Sequence, residues 1–181
     1  MFLGNEETGN YLNHLLMKVK IKKLHPDAVI PAYAKTGDAG MDLTAVSMKT
    51  DEYGNICYGT GLAFEIPEGY VGLVFPRSSI YKSNLNLSNS VGVIDSGYRG
   101  EVSFKFNVIH NVSPWLKFKW QKLFKKDPMN VPVMTLGFNK YKVGDRIGQI
   151  IIMPYPQIEF EEVQELSETE RGTKGYGSSG A

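Results

Sequence analysis

The sequence predicts an all-β fold, a compact antiparallel barrel or sandwich, on three observations. From Lys18 onward, short segments rich in Val, Ile, Phe and Tyr recur between Gly, Pro, Asn and Asp, which is the rhythm of many short strands rather than of helices. Nineteen glycines and nine prolines supply the turns that such a fold needs. The length of 181 residues fits one domain able to bury a core without disulfide or metal support, and no internal repeat is visible.

Residues 1–16 carry a net charge of −2, precede Met17 and read as an N-terminal extension, native or added. The expected strands are Lys18–Leu24, Met41–Ala45 after the Gly37-to-Gly40 turn, Ile56–Leu62 and Ala63–Ile66. Tyr70–Pro76 follows a Glu68-Gly69 turn, Val91–Ile94 and Glu101–Val108 flank a turn over Asp95–Gly100, and Arg146–Pro154 follows Gly144-Asp145. Glycine suits these turns because it reaches positive φ at no steric cost. Residues 17–170 are read as one β domain and 171–181 as a glycine-rich arm.

With 42% hydrophobic residues and Lys+Arg 20 against Asp+Glu 19, the chain is neither disordered nor globally basic, so direct nucleic-acid binding is not expected. Its apolar runs fall short of the roughly 20 residues that span a bilayer. The N-terminus lacks a basic-then-apolar signal, so the expectation is a soluble, cytoplasmic protein without a membrane partner. One cysteine, Cys57, leaves no internal disulfide, and His14, His25 and His110 lack metal-ligand spacing. Charge is instead segregated. Between Ile109 and Val143 seven lysines face one aspartate, whereas Glu159 to Glu170 holds six glutamates and no basic residue. In the basic insert, about 111–140, Ser113 and Pro114 could open a helix with Leu116, Trp120, Leu123 and Phe124 at helical spacing. The alternation of Leu116, Phe118 and Trp120 with lysines fits a strand equally well. A surface excursion with solvated lysines outweighs a binding role; the functional alternative is a module that binds a protein or an anionic surface, its net charge of +6 suiting nucleic acid or an acidic protein.

Five segments carry chemistry. Arg171 to Gly180 offers a guanidinium, glycines, hydroxyls and one aromatic, parts suited to a polyphosphate beneath a stacked base. Its G-x-G-x-x-G spacing lacks a surrounding βαβ unit, and from composition alone a flexible Gly/Ser tail is as good a reading. Pro76-Arg77-Ser78-Ser79 sets a guanidinium and two hydroxyls after a strand. Asn89 to Glu101 sets an amide, a carboxylate and an aromatic around a turn, where Asn can pair with a base edge and Asp can orient a water. Asp95 could equally be a turn-stabilising residue. Gly37 to Leu43 and Gly144 to Gln149 share that ambiguity.

Taken in order, AGMDL (39–43), PRSS (76–79), NSVGVIDSGYRGEV (89–102), GDRIGQIIIMP (144–154) and RGTKGYGSSG (171–180) resemble the motifs of the trimeric dUTP diphosphatase (dUTPase) family. The resemblance runs from about Pro31 to Gly180, interrupted by the insert, and suggests a phage-type member. It implies a jelly-roll-like barrel of the β-clip kind, assembled as a homotrimer. Each site would draw its first, second and fourth motifs from one subunit, its third from a neighbour and the arm from the third. The implied reaction is water attack on the α-phosphorus of dUTP, giving dUMP and pyrophosphate with Mg²⁺ as cofactor.

Carried over residue by residue, Asn89 and the Val91, Gly92 and Ile94 backbone would recognise uracil and exclude a thymine methyl. Tyr98 would exclude a ribose 2′-hydroxyl, and Asp95 would bind the 3′-hydroxyl and position the water. Arg77 and Ser78 would contact the phosphate chain, and Gln149 the α-phosphate and the nucleophile. Asp42 and Asp38 would act on the metal through its waters. Arg171 would clamp the γ-phosphate, Tyr176 would stack on uracil, and Gly177, Ser178 and Ser179 would donate to β- and γ-oxygens. Two rivals remain. The related dCTP deaminases use a glutamate base where this chain has Lys105, and a nucleotide-sensing regulator could act on a partner through the insert.

Overall fold

Ten strands organise residues 17–109 and 140–175, the parts of the chain that the computed structural model describes. They are β1 (Lys20–Lys23), β2 (Met41–Thr44), β3 (Ser47–Thr50), β4 (Ile56–Gly59), β5 (Leu62–Glu65), β6 (Tyr70–Pro76), β7 (Leu85–Leu87), β8 (Gly92–Ile94), β9 (Ser103–Val108) and β10 (Arg146–Pro154). A 3-10 turn covers Ser78–Lys82. All pairings are antiparallel, in a two-stranded sheet β1-β5 and two four-stranded sheets, β2-β10-β6-β8 and β3-β4-β9-β7. The extension 1–16 and the segment on which helix and strand readings competed lie outside the described residues.

The all-β expectation holds, and three local differences have physical causes. The expected run Ile56–Leu62 is cut at Gly61, whose φ of +65° only glycine adopts readily, so Leu62 opens the next strand. β3 and β7 escaped the sequence reading. All four residues of β3 are exposed and show no apolar alternation, and β7 has only three residues. The runs flanking Asp95–Gly100 do not form a hairpin. β8 pairs with β6 in one sheet while β9 pairs with β4 and β7 in the other, so the turn carries the chain between sheets. That turn uses neither Gly97 nor Gly100 for positive φ, whereas Gly69 does turn at φ +81°.

The core lies where the two larger sheets meet. On β9, Phe104 and Phe106 are buried while Ser103, Lys105 and Asn107 face out, the alternation of a half-buried strand. Phe104 and Phe106 stack, and Tyr58 meets Phe106 edge-on at 5.8 Å between ring centroids. The Tyr58 hydroxyl donates to the Tyr141 carbonyl at 2.9 Å. Leu43, Val74, Ile147 and Ile150 complete the cluster from the facing sheet. Gly148 of β10 permits this approach, because a Cβ there would collide with the Phe104 ring and the Phe75 carbonyl. A methyl side chain at 148 would have to displace that ring, an overpacking that costs about 1–3 kcal/mol.

Candidate functional site

β2, β10 and β6 lie side by side and bring together three side chains distant in sequence. Asp42 stands opposite Gln149, and Gln149 opposite Phe75, two residues before Arg77. Asp42 is the hub. Its Oδ1 accepts from Arg77 Nε at 3.0 Å and Gln149 Nε2 at 3.2 Å, and its Oδ2 from Arg146 at 2.9 Å. Arg146 was not singled out by the sequence, because residues three apart on a regular strand point to opposite faces. A bulge between Arg146 and Gly148 shifts the register, so Arg146 stands opposite Thr44 and shares the Asp42 face with Gln149. Asp42 is largely covered, with 18% of its side chain exposed, as is Arg77 at 26%, whereas Arg146 at 56% reaches it from solvent.

Asp42 and Gln149 open onto a cavity of about 250 Å³ that Asp38 and Gly40 also line. A Cβ at Gly40 would stand 3.3 Å from Gln149 Oε1, so glycine keeps room for that amide. Asp38 Oδ2 accepts from the Lys35 backbone N–H at 2.8 Å, the turn role that its sequence context allowed. Arg77 sits at the N-terminal end of the 3-10 turn, and the exposed Ser78 opens it. Among the described residues no three His, Cys, Asp or Glu side chains converge as a metal cage.

The third segment occupies the other end of β6. Gly92 pairs with Val74 and Ile94 with Gly72, so Asp95 lies one residue further, beside Val71. Six residues separate Val71 from Arg77, about 20 Å of extended chain. Asn89 and Val91 lead into β8. A Cβ on Gly92 would collide with Val74 and lie 3.4 Å from Asn89 Nδ2, so the amide rests against bare backbone. Ser90 has φ +60°, a left-handed conformation in a residue other than glycine, held by its N–H bond to the Leu87 carbonyl at 3.0 Å. Asp95, with Tyr70, Val71, Val93, Ser96 and Tyr155, lines its own cavity of about 340 Å³. Tyr98 folds back over Gly100, and its hydroxyl donates to the Glu101 carbonyl at 3.1 Å.

Residues 171–175 of the arm end a long exposed stretch. From Tyr155 to Gly175 every residue is exposed, including Phe160 at 91% and Leu166 at 87%. Arg171 Nε donates within its own turn, to Lys174 O at 3.2 Å. Tyr176, Gly177, Ser178 and Ser179 lie outside the described residues. Lys105, the position of the rival deaminase base, is on β9, and its ammonium pairs with Asp51 at 3.0 Å. The Asn55 side-chain amide, aided by Lys105 and the backbone N–H groups of Asn55 and Tyr53, holds the Asp51 carboxyl well below the usual carboxylate range despite an opposing effect of burial. The same contact raises the Lys105 ammonium.

The family model of dUTPase matches residues 27–113 and 126–180. The deoxyuridine 5'-triphosphate nucleotidohydrolase of Nautilia profundicola is 39% identical over 168 residues, 91% of this chain and 99% of that protein. The enzyme of the same name from Rhodococcus erythropolis is 37% identical over 166 residues, 91% of this chain and 87% of the other. Among solved structures, the dUTPase of Staphylococcus bacteriophage 80alpha with dUpNHpp superposes with a TM-score of 0.65 at 28% identity, covering 91% of this chain and 99% of that one. The dUTPase of phage phi11 of S. aureus, in a variant solved for its structural Mg(II) ion, shares the fold at a TM-score of 0.58 and 22% identity, with 82% of this chain and 98% of that one covered.

Proposed function

The chain belongs to the dUTPase family and hydrolyses dUTP to dUMP and pyrophosphate, and we propose that it does so at sites shared between subunits of a homotrimer. One observation carries the shared site. Reacting atoms must approach to about 3–3.5 Å, yet within one chain Asp95 lies beside Val71, four residues along β6 from the Phe75 that faces Gln149 and six from Arg77, about 13 Å and about 20 Å of extended chain. A neighbour's Asp95 turn set against this chain's Asp42 cluster closes that gap. The exposed apolar residues of 155–175, Phe160 and Leu166 above all, support the same assembly, since such side chains need a partner surface.

In this reading residues 17–170 form the catalytic body and 171–181 the arm. Asp95 orients the water that attacks the α-phosphorus and accepts part of its proton charge. Gln149 has one amide hydrogen committed to Asp42, leaving the other for an α-phosphate oxygen and Oε1 for the water. Arg77 keeps the outer edge of its guanidinium for phosphate while its Nε is tied to Asp42, and Ser78 donates toward the leaving pyrophosphate. Arg171 clamps the terminal phosphate, the Tyr176 ring covers the base, and Gly177, Ser178 and Ser179 supply donors as the arm shuts out water. Asn89 and the backbone of Val91, Gly92 and Ile94 read uracil, and Tyr98 the sugar.

The donor set fits Mg²⁺ held mainly by the triphosphate. Asp42 already accepts from three side chains and Asp38 from a backbone amide, so their remaining lone pairs suit the ion's bound waters rather than the ion itself. When bound, the ion supplies neutralisation of phosphate charge. Among the described residues no helix is long and apolar enough to cross a membrane, and a cytoplasmic setting suits the nucleotide substrate. Among the described residues nothing favours the regulatory alternative. Pyrophosphate release with Mg²⁺ from dUTP, compared with dTTP, dCTP and UTP, tests the reading. Selective release from dUTP is expected, and release from dTTP or UTP at comparable rates overturns the assigned discrimination.

A further inference from the structure

The root of the Asp95–Glu101 turn is anchored by contacts that none of the assigned roles uses. Glu101 Oε1 accepts from the Gly61 backbone N–H at 2.7 Å. Gly61 is at positive φ, and a Cβ on Gly59 would strike that same carboxylate, so two glycines shape its seat. The next residue is clasped as well. Thr60, fully buried, donates to the Val102 carbonyl from its hydroxyl at 2.6 Å and its N–H at 3.3 Å, and Val102 N–H donates to Leu62 O at 2.8 Å. Four hydrogen bonds thus fix the root of the turn to residues 60–62, and the Tyr98 hydroxyl rests on the carbonyl of the residue so held.

We propose that Glu101 is a positioning residue for sugar selection: its carboxylate, seated on the Gly61 amide, sets the place of the Tyr98 ring. The proposal rests on the reading of Tyr98 as the group that excludes a 2′-hydroxyl. A ring that discriminates by exclusion must be held against displacement, because the ligand's extra oxygen pushes on it directly. Tyr98 is 44% exposed, and among the described residues its hydroxyl bonds to the turn alone, so the ring is as fixed as the backbone of Glu101. Losing the carboxylate leaves a buried amide without its acceptor and removes the one of the four bonds that Glu101 itself makes, so its backbone is loosened while Val102 stays clasped.

The test is kcat/KM for dUTP and for UTP, measured on the full Mg²⁺-loaded protein, with thermal melting as the check of folding. Glu101→Ala and Glu101→Asp, the second being one methylene too short, are expected to lower the preference for dUTP by about tenfold or more. Glu101→Gln keeps an acceptor oxygen and is expected to hold the preference. In a Tyr98→Ala background, Glu101→Ala should change the preference no further. Equal losses on both substrates, or an unchanged preference in both loss-of-contact variants, overturn the proposal. A Tyr98→Ala protein that keeps full preference shows instead that the reading of Tyr98 has failed.

Discussion

At the Pro76 end of β6 the polar side chains are held by one another, whereas beyond its Tyr70 end they are held by backbone. Asp42 ties Arg77, Arg146 and Gln149 across three strands. The Asp95–Glu101 turn is closed by Tyr98 N–H on Asp95 O, by Arg99 on the carbonyls of Ser96 and Tyr98, and by Glu101 on Gly61. The difference follows from what each end must present. Charged groups aimed at phosphate need fixed counter-charges. A carboxylate aimed at water, beside a ring aimed at a sugar, needs a rigid frame that leaves those side chains free. Neither end is a site alone.

The comparison breaks most visibly by complementation. Asp95→Ala and Arg77→Ala proteins should each lose about 10²–10⁴-fold in turnover. If the two ends meet across a subunit boundary, co-refolding equal amounts should restore roughly a quarter of wild-type activity, the fraction of sites that draw an intact residue from each of two subunits. No recovery would place both residues in one chain's site and end the shared-site reading.

A smaller effect sharpens the charged end. Arg146 contacts Asp42 with no assigned contact to substrate, so Arg146→Gln should slow turnover by about 10–100-fold through loosening of Arg77 and Gln149. Combined with Asp42→Asn it should cost little more than Asp42→Asn alone, because both changes break one network. Fully additive losses in steady-state kinetics would show that Arg146 acts on substrate directly.

Legibility in the sequence follows the same division. β6 and β10 were read with the bounds observed, since each is a long apolar run between turn residues. Asp42, Arg77 and Gln149 were legible as motif members, but their union was not. It depends on register, and the bulge that turns Arg146 toward Asp42 leaves no mark in the spacing. Glu101 was likewise present in the motif as quoted, yet its partner is a backbone amide 40 residues away. Hydrogen bonds to backbone carry no side-chain signature. That β8 and β9 join different sheets is equally invisible in the sequence, since two strand-like runs around a short turn look alike whether they pair or diverge.

The smallest effect comes from a carboxylate that imitates Asp42 outside the site. Asp51 also gathers several donors, from Asn55, Tyr53 and Lys105, but on the β3–β4 turn. Its carboxyl is held below the ordinary 3.8. A depressed folded-state value means that the unfolded chain binds protons first, so the stabilisation is complete above 3.8 and drains away as the pH falls toward the folded value. Lys105, raised by the same contact, adds stability that is complete below 10.5 and is lost only as pH rises through its raised value. Asp51→Asn keeps an acceptor for the backbone N–H groups and removes the charge facing Lys105. Its melting temperature should therefore lie below wild type at neutral pH and begin to converge on it only as the pH falls below about 3.8, the gap closing toward the depressed folded value, with dUTP turnover unchanged. Melting curves that stay parallel on acidification would deny Asp51 the linkage. Lost turnover would mean that an ion pair on the far sheet reaches the site, and that the clustering of donors around Asp42 is not what sets the charged end of β6 apart.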